Sequence, residues 1–359
     1  MDKRQHASAL LAWYDEYARV LPWRVRPKNE DQALADPYHV WLSEIMLQQT
    51  VVKTVIPYFE NFLARWPTVF ELAACDQEDV LKRWAGLGYY ARARNLHACA
   101  KAVVSEHGGV FPSDEKQLLA LPGIGPYTQS AIAAIAFGQR AGVVDGNVER
   151  VIARLYALKK PVREIKPLIK EKALALTPVR RPGDYAQAMM DLGATICTPK
   201  RPACGRCPLQ QNCLALKGDC AAVLPVRAAK KPRPVRSGTA FLVLREDGCV
   251  LLRQRLDKGL LAKMLEVPSV GWIEGKKTRQ DEAAPVQASW QQVPGFIRHT
   301  FTHFHLQLDV HRAHVAGDHP VLEAADRARC RWVPRHQLNE QALPGVMRKI
   351  LSHGLGELL

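Results

Sequence analysis

The chain has 359 residues, too long for one ordinary hydrophobic core, so two domains are expected. Apolar residues make up 47% of it, yet nowhere do the roughly eighteen that a membrane-spanning helix needs run together. A formal charge of +15 points to a polyanionic partner such as nucleic acid.

In chain order, a first amphipathic helix is expected from Ala7 to about Val20, stopped by LPWRVRP. Asp15 and Glu16 inside it argue against a secretory leader. A polar loop from Arg24 to Pro37 precedes one long helix carrying Val40, Trp41, Ile45, Val51, Val52, Val55 and Phe59. Helical periodicity returns over Val69 to Trp84, Ala91 to His107 and Asp114 to Leu121, the last with Ser113 placed to cap it.

The strip from Leu121 to Arg150 organises what precedes it. In LPGIGPYT, Pro122 ends one helix, Gly123 and Gly125 permit backbone angles closed to other residues, and Ile124 can wedge inward. Outward-pointing N–H groups at the start of the next helix then suit one phosphate of a nucleic-acid backbone. After SAIAAIAFG comes VVDGNVER, then helices over Val148 to Leu158, Ile165 to Leu176 and Asp184 to Ile196. Residues 1–222 thus read as an all-helical domain, with the hairpin at about 114–137.

Nine cysteines divide into two groups. Cys75, Cys99, Cys220, Cys249 and Cys330 are scattered, which points to a reducing, cytoplasmic setting. Cys197, Cys204, Cys207 and Cys213 crowd into one loop, 197–213, as C-x6-C-x2-C-x5-C, a ligand set for metal. Zinc and a four-iron cluster both accept four thiolates, and the spacing does not choose between them.

Residues 223–236 combine basic residues and prolines without an acid, as a linker lying near an anion would. From Thr239 the period falls to two. A hairpin turns at Asp247-Gly248, HTFTHFHLQLDVHRAHV alternates as one long strand, RCRWVP forms another, and Leu343 to Leu351 a closing helix. Residues 237–359 therefore read as a separate α+β domain. Alternation would place His299, His303 and His305 on one strand face, although no cysteine or carboxylate joins them as a metal ligand.

Two carboxylates carry the candidate chemistry. Glu44 sits in a mostly apolar helix, either on its polar side or buried, where an acid must be paired, protonated or useful. Asp145 either caps the helix near Val148 or faces a substrate. Cleaving a glycosidic C–N bond through an oxocarbenium-like sugar needs one protonated acid and one ionised carboxylate, and two acids in unlike environments divide those tasks.

SEIMLQQT with Glu44, GLGYYARARNLH, LPGIGPYT, VDGNVER and the four-cysteine loop together resemble the adenine DNA glycosylases of the MutY family, over nearly the whole chain. The resemblance implies a multi-domain chain: a helix-hairpin-helix glycosylase domain with a [4Fe-4S] cluster, joined by the basic linker to a MutT/Nudix-like domain. It implies a monomeric, nucleoid-associated enzyme that binds double-stranded DNA and removes adenine opposite 8-oxoguanine or guanine.

Carried over, Glu44 protonates the leaving adenine and helps activate water, Asp145 stabilises the oxocarbenium sugar or its adduct, and Asn147 orients the pair. Tyr127 stands where relatives with lyase activity carry a Schiff-base lysine, so strand cleavage through an imine is not expected. Trp23, Arg24 and Gln187 match positions lining the adenine pocket. Gln49 and Tyr89 match residues entering the duplex beside 8-oxoguanine, which Thr302 and His303 of FTHF would read; Gly123 and Gly125 would hold the DNA backbone. Gln129, where the family commonly has alanine, is expected to face outward. The long loop after Arg24, and Thr302 for the usual serine, are further departures. No acidic Nudix box follows Glu274, so nucleotide hydrolysis is not expected. The competing readings are a pyrimidine-lesion glycosylase with lyase activity, and a non-catalytic, cluster-bearing DNA-binding protein.

Overall fold

In a computed structural model, residues 3–25, 34–226, 232–274 and 284–356 are described. Parts of the polar loop and of the expected linker, 26–33 and 227–231, lie outside them. The chain divides into two compact units, Met1–Ala74 with Asn95–Lys230, and Cys75–Arg94 with Lys231–Leu359. The segment 75–94, expected in the first domain, groups with the second. Arg331 donates to Glu78 at 2.7 Å and Arg94 to the Ala262 carbonyl at 2.8 Å.

The helices in chain order are α1 (Lys3–Tyr17), α2 (Pro37–Leu47), α3 (Val52–Arg65), α4 (Val69–Ala74), α5 (Gln77–Trp84), α6 (Ala91–His107), α7 (Glu115–Ala120), α8 (Pro126–Ile135), α9 (Gly146–Leu155), α10 (Lys166–Leu176), α11 (Pro182–Thr195), α12 (Leu214–Lys217) and α13 (Gly345–Leu355). In the first unit α11 packs against α1, α8 and α9, and α2 against α3 and α8. Their starts follow from local chemistry. Asp36 caps α2 by accepting from the Tyr38 N–H, with Pro37 at the first position. At α8, Gly125 is the cap and Pro126 again leads.

Several expectations need correcting. The long helix after Pro37 is two, α2 and α3, because Gln49 takes a left-handed backbone (φ 57) between them. Val69 to Trp84 is likewise split into α4 and α5. Asp114, not Ser113, caps α7, accepting from the Gln117 N–H at 3.0 Å. Gln129 is buried rather than outward, its carbonyl oxygen accepting from the Ser130 hydroxyl at 3.2 Å. Only one glycine of the hairpin uses its freedom. Gly123 has φ 79, and a Cβ there would lie 2.8 Å from the Asn95 Cβ; Gly125 has φ −93 and open space around it.

In the second unit the strands are β1 (Val235–Arg245), β2 (Cys249–Gln254), β3 (Leu265–Glu266), β4 (Ser269–Glu274), β5 (Gln291–Gln292), β6 (Ile297–Thr300), β7 (His305–Val315) and β8 (Cys330–Pro334). They form one sheet in the order β3-β2-β1-β7-β5, with β4 on β1, β6 on β7 and β8 on β2. β1 and β7 run parallel, and α13 packs on both. The single long strand expected from His299 is a β6–β7 hairpin folded at Phe301–Phe304, with Thr300 opposite His305. His303 therefore sits in a loop and does not share a strand face with His299 and His305. Among the described residues no helix is long and apolar enough to cross a membrane.

The two hairpin glycines separate in a substitution test. Gly123→Ser meets both the left-handed angle and the Asn95 side chain, and is expected to cost about 1–3 kcal/mol. Gly125→Ser keeps a good cap in open space and is expected to stay within about 0.5 kcal/mol of the parent in urea unfolding. Equal losses would show that the turn is not held this way.

Candidate active site

A cavity of about 840 Å³ opens in the first unit. Trp23 and Arg24 reach it from the segment after α1, Glu44 from α2, and Gln49 from the α2–α3 turn. Gly123, Gly125 and Tyr127 come from the hairpin, Asp145 and Asn147 from the start of α9, and Gln187 from α11. Candidates far apart in sequence are thus neighbours around one space large enough for an everted purine nucleoside.

Glu44 is 6% exposed, and burial raises its carboxyl from 4.5 to about 7. A hydrogen bond from the Tyr127 hydroxyl to Oε2, 2.8 Å long, opposes the rise, as does the positive charge of Arg24; the negative charge of Asp145 adds to it. Tyr127 is half-buried, and desolvation lifts its own ionisation well above that of a free phenol, so it remains a donor. The result is an acid that carries a proton over part of the neutral range, aimed into a cavity.

Asp145 has another environment. As N-cap of α9 it accepts from the backbone N–H groups of Asn147 (2.9 Å) and Val148 (2.7 Å), and from Asn147 Nδ2 (2.8 Å). Three N–H donors suit a carboxylate, which only accepts. Asn147 is fixed in turn, because Arg150 donates to its Oδ1 at 2.9 Å and to the Gly193 carbonyl at 2.6 Å. A side chain at Gly193 would strike the Asn147 Cβ at 2.6 Å, so glycine lets α11 close on this pair.

Two supporting residues escape sequence reading. Asp191, 0% exposed on α11, accepts from Arg24 Nη1 at 2.8 Å, Arg19 Nε at 2.6 Å and the Arg19 backbone N–H at 3.0 Å. It holds Arg24 at the cavity. Its only trace in the sequence is an acid within an apolar helix, the sign that singled out Glu44. Arg150 similarly looks like a surface arginine of VDGNVER until its partners are seen.

In the cysteine loop Cys197, Cys204, Cys207 and Cys213 are free thiols. Burial pushes the Cys207 thiol up to about 12, and the charges of the other three add to the rise, so the four are electrostatic neighbours. Arg154 donates to Cys197 Sγ at 3.3 Å. Among the described residues no three His, Cys, Asp or Glu groups are arranged to hold a single metal ion. A donor set made only of thiols suits an iron–sulfur cluster, whose ligands stand on separate irons.

Tyr89, Thr302 and His303 belong to the second unit, and the residues above to the first. Thr302 and His303 are exposed at the β6–β7 turn, and the Tyr89 hydroxyl lies 2.9 Å from Thr302 Oγ1. Tyr89, 44% exposed, is no core aromatic, and like Gln49 it has a left-handed backbone (φ 49).

Comparison with known proteins follows the same division. Residues 42–173 match the HhH-GPD superfamily of base excision DNA repair proteins, 197–213 the iron-sulfur binding domain of endonuclease III, and 239–353 the NUDIX domain. The adenine DNA glycosylase of Homo sapiens is 36% identical over 95% of this chain and 72% of its own length. That of Buchnera aphidicola subsp. Baizongia pistaciae (strain Bp) is 34% identical over 75% of this chain and 77% of its own. A thermostable thymine-DNA glycosylase of known structure superimposes with a TM-score of 0.52 at 28% identity, over 60% of this chain and 97% of that one.

Asp191→Ala strands the buried Arg24 guanidinium without its counter-charge. Unfolding in urea is expected to show a loss of about 3–5 kcal/mol. A loss below about 1 kcal/mol would mean that Arg24 is held by something else.

Proposed function

The chain belongs to the adenine DNA glycosylases, and from that premise we propose that its first unit everts adenine, mispaired with 8-oxoguanine or guanine, and hydrolyses the N-glycosidic bond without a lyase step. The observation that carries this reading is the pair of carboxyls at one cavity, Glu44 buried and raised to about 7, Asp145 ringed by N–H donors.

Glu44 donates its proton to a ring nitrogen of the base as the electrons of the glycosidic bond pass to the purine. Asp145 faces the positive charge that builds on the sugar, as an ion partner or by bonding to C1′. Water then adds at C1′ and gives up a proton to the Glu44 carboxylate, which returns the acid to its starting form. Asn147, held by Arg150, keeps Asp145 turned toward the sugar, and Arg24, held by Asp191, lines the base pocket. Among the described residues no lysine lines the cavity, and the neutral Tyr127 hydroxyl offers no amine for an imine. This favours monofunctional excision.

The four cysteines fit a [4Fe-4S] cluster, which when bound supplies a covalent cross-link that folds their loop. In the second unit, Thr302 and His303 present a hydroxyl and an imidazole at an exposed turn. These would read the base opposite adenine, with Tyr89 braced on Thr302.

Glu44→Gln is expected to lower single-turnover adenine release by about 10³-fold or more while binding of the mispaired duplex persists. In the parent enzyme the rate should fall about tenfold per pH unit above pH 7, because the raised carboxyl loses its proton there. A rate flat from pH 6 to 9 would remove Glu44 as the acid. Thr302→Val should cut the preference for 8-oxoguanine over guanine about tenfold, the worth of one hydrogen bond. An unchanged ratio would place the reading elsewhere.

A further inference from the structure

Around the β6–β7 turn the second unit gathers cations without acids. Arg233 Nε donates to the Thr302 carbonyl at 3.0 Å. Arg236 stands over the Phe304 ring at 4.3 Å, and Arg298 over Phe296 at 5.0 Å. Lys349 Nζ, from α13, donates to the Arg298 carbonyl at 3.2 Å. All four therefore rest on the one hairpin, through a carbonyl or a ring.

Among the described residues no carboxylate oxygen lies within 4.0 Å of their charged nitrogens. Glu274 is the cross-strand neighbour of Arg236 and does not close on it. Elsewhere in the same unit several arginines are neutralised. Arg245, Arg253, Arg255, Arg329 and Arg331 each meet an aspartate or glutamate. At this turn, beside Thr302 and His303, four cations stand together without an acid partner.

A ring beneath a guanidinium holds the arginine extended and covers one of its faces. Its N–H edge stays free for an anion, and phosphate is the anion that a planar fork of donors fits best. Arg233, Arg298 and Lys349 are exposed and Arg236 half-buried, so the groups are accessible. We propose that this patch grips the phosphodiester backbone of the DNA strand whose base Thr302 and His303 read. The inference rests on that reading of the second unit and adds the partner surface to it. Arg233 anchors the turn and the other three contact successive phosphates, so base contacts specify while these residues set register.

The test uses the full-length, cluster-loaded protein carrying Glu44→Gln, so that binding is seen without turnover. Kd for a duplex with adenine opposite 8-oxoguanine is measured over about 50 to 200 mM salt, where each phosphate contact contributes about 0.9 to the slope of log K against log salt. Adding Arg298→Gln with Lys349→Gln is expected to reduce the slope by about 1.8, so that the salt-induced loss of affinity shrinks about twelvefold over this range. Arg298→Lys with Lys349→Arg keeps the charges and should keep the slope. An unchanged slope in the glutamine variant, with its melting temperature retained, overturns the proposal. Should that pair destabilise the fold, Arg298→Gln alone, at an exposed site, is expected to remove about 0.9, and no change there overturns it equally. Failure of the base reading is a separate result: Thr302→Val would leave discrimination intact while the slope still falls.

Discussion

The structure depends on where the Glu44 proton is held. Moving a carboxyl from 4.5 to about 7 withholds on the order of 3 kcal/mol from its ionised form, and burial in α2 supplies that penalty. Tyr127 and Arg24 pull the other way and hold the rise in check. The balance is made by residues from three parts of the chain, the segment after α1, α2 and α8. The hairpin turn delivers the Tyr127 hydroxyl to Glu44.

Asp145 shows the same functional group in the opposite environment. Its position as the cap of α9 surrounds it with N–H donors, while Glu44 receives one hydroxyl. The cap and the active site are not competing explanations for Asp145: capping is what orients it. Behind it, Asn147, Arg150 and Arg154 lie on one face of α9. Arg150 also donates to the Cys197 carbonyl at 2.7 Å, and Arg154 to the carbonyls of Thr198 and Pro199. The cysteine loop and Asp145 are thereby tied to the same helix.

Much of this was legible in sequence because it is local. Helix α6 falls on the residues that periodicity marked, the turn at Gly248 (φ 80) follows from Asp247-Gly248, and VDGNVER announces both a cap and an acid. What was lost lies where a pattern runs on across a break. Apolar spacing continues through Gln48-Gln49-Thr50, which contains neither glycine nor proline, so α2 and α3 read as one. Alternation continues through FTHF, which hid the turn that presents Thr302. Asp191 was missed for another reason. A buried acid is recognisable only by its partners, and Arg19 and Arg24 lie more than 160 residues away in the chain. The same holds for Gln129, whose burial no local signal marks.

The second unit has the sheet of the NUDIX domain that it matches, and it gathers four cations without an acid partner around one turn. In the proposed function the second unit recognises the mispair, and the chemistry of the first unit turns on one proton. That proton can be observed directly. With glutamate labelled at the side-chain carboxyl carbon, a nuclear magnetic resonance titration compared against Glu44→Gln isolates the Glu44 signal. The account predicts a midpoint near 7, moving higher in Tyr127→Phe as the opposing hydrogen bond is lost; a midpoint near 4.5, unmoved by that substitution, would contradict it.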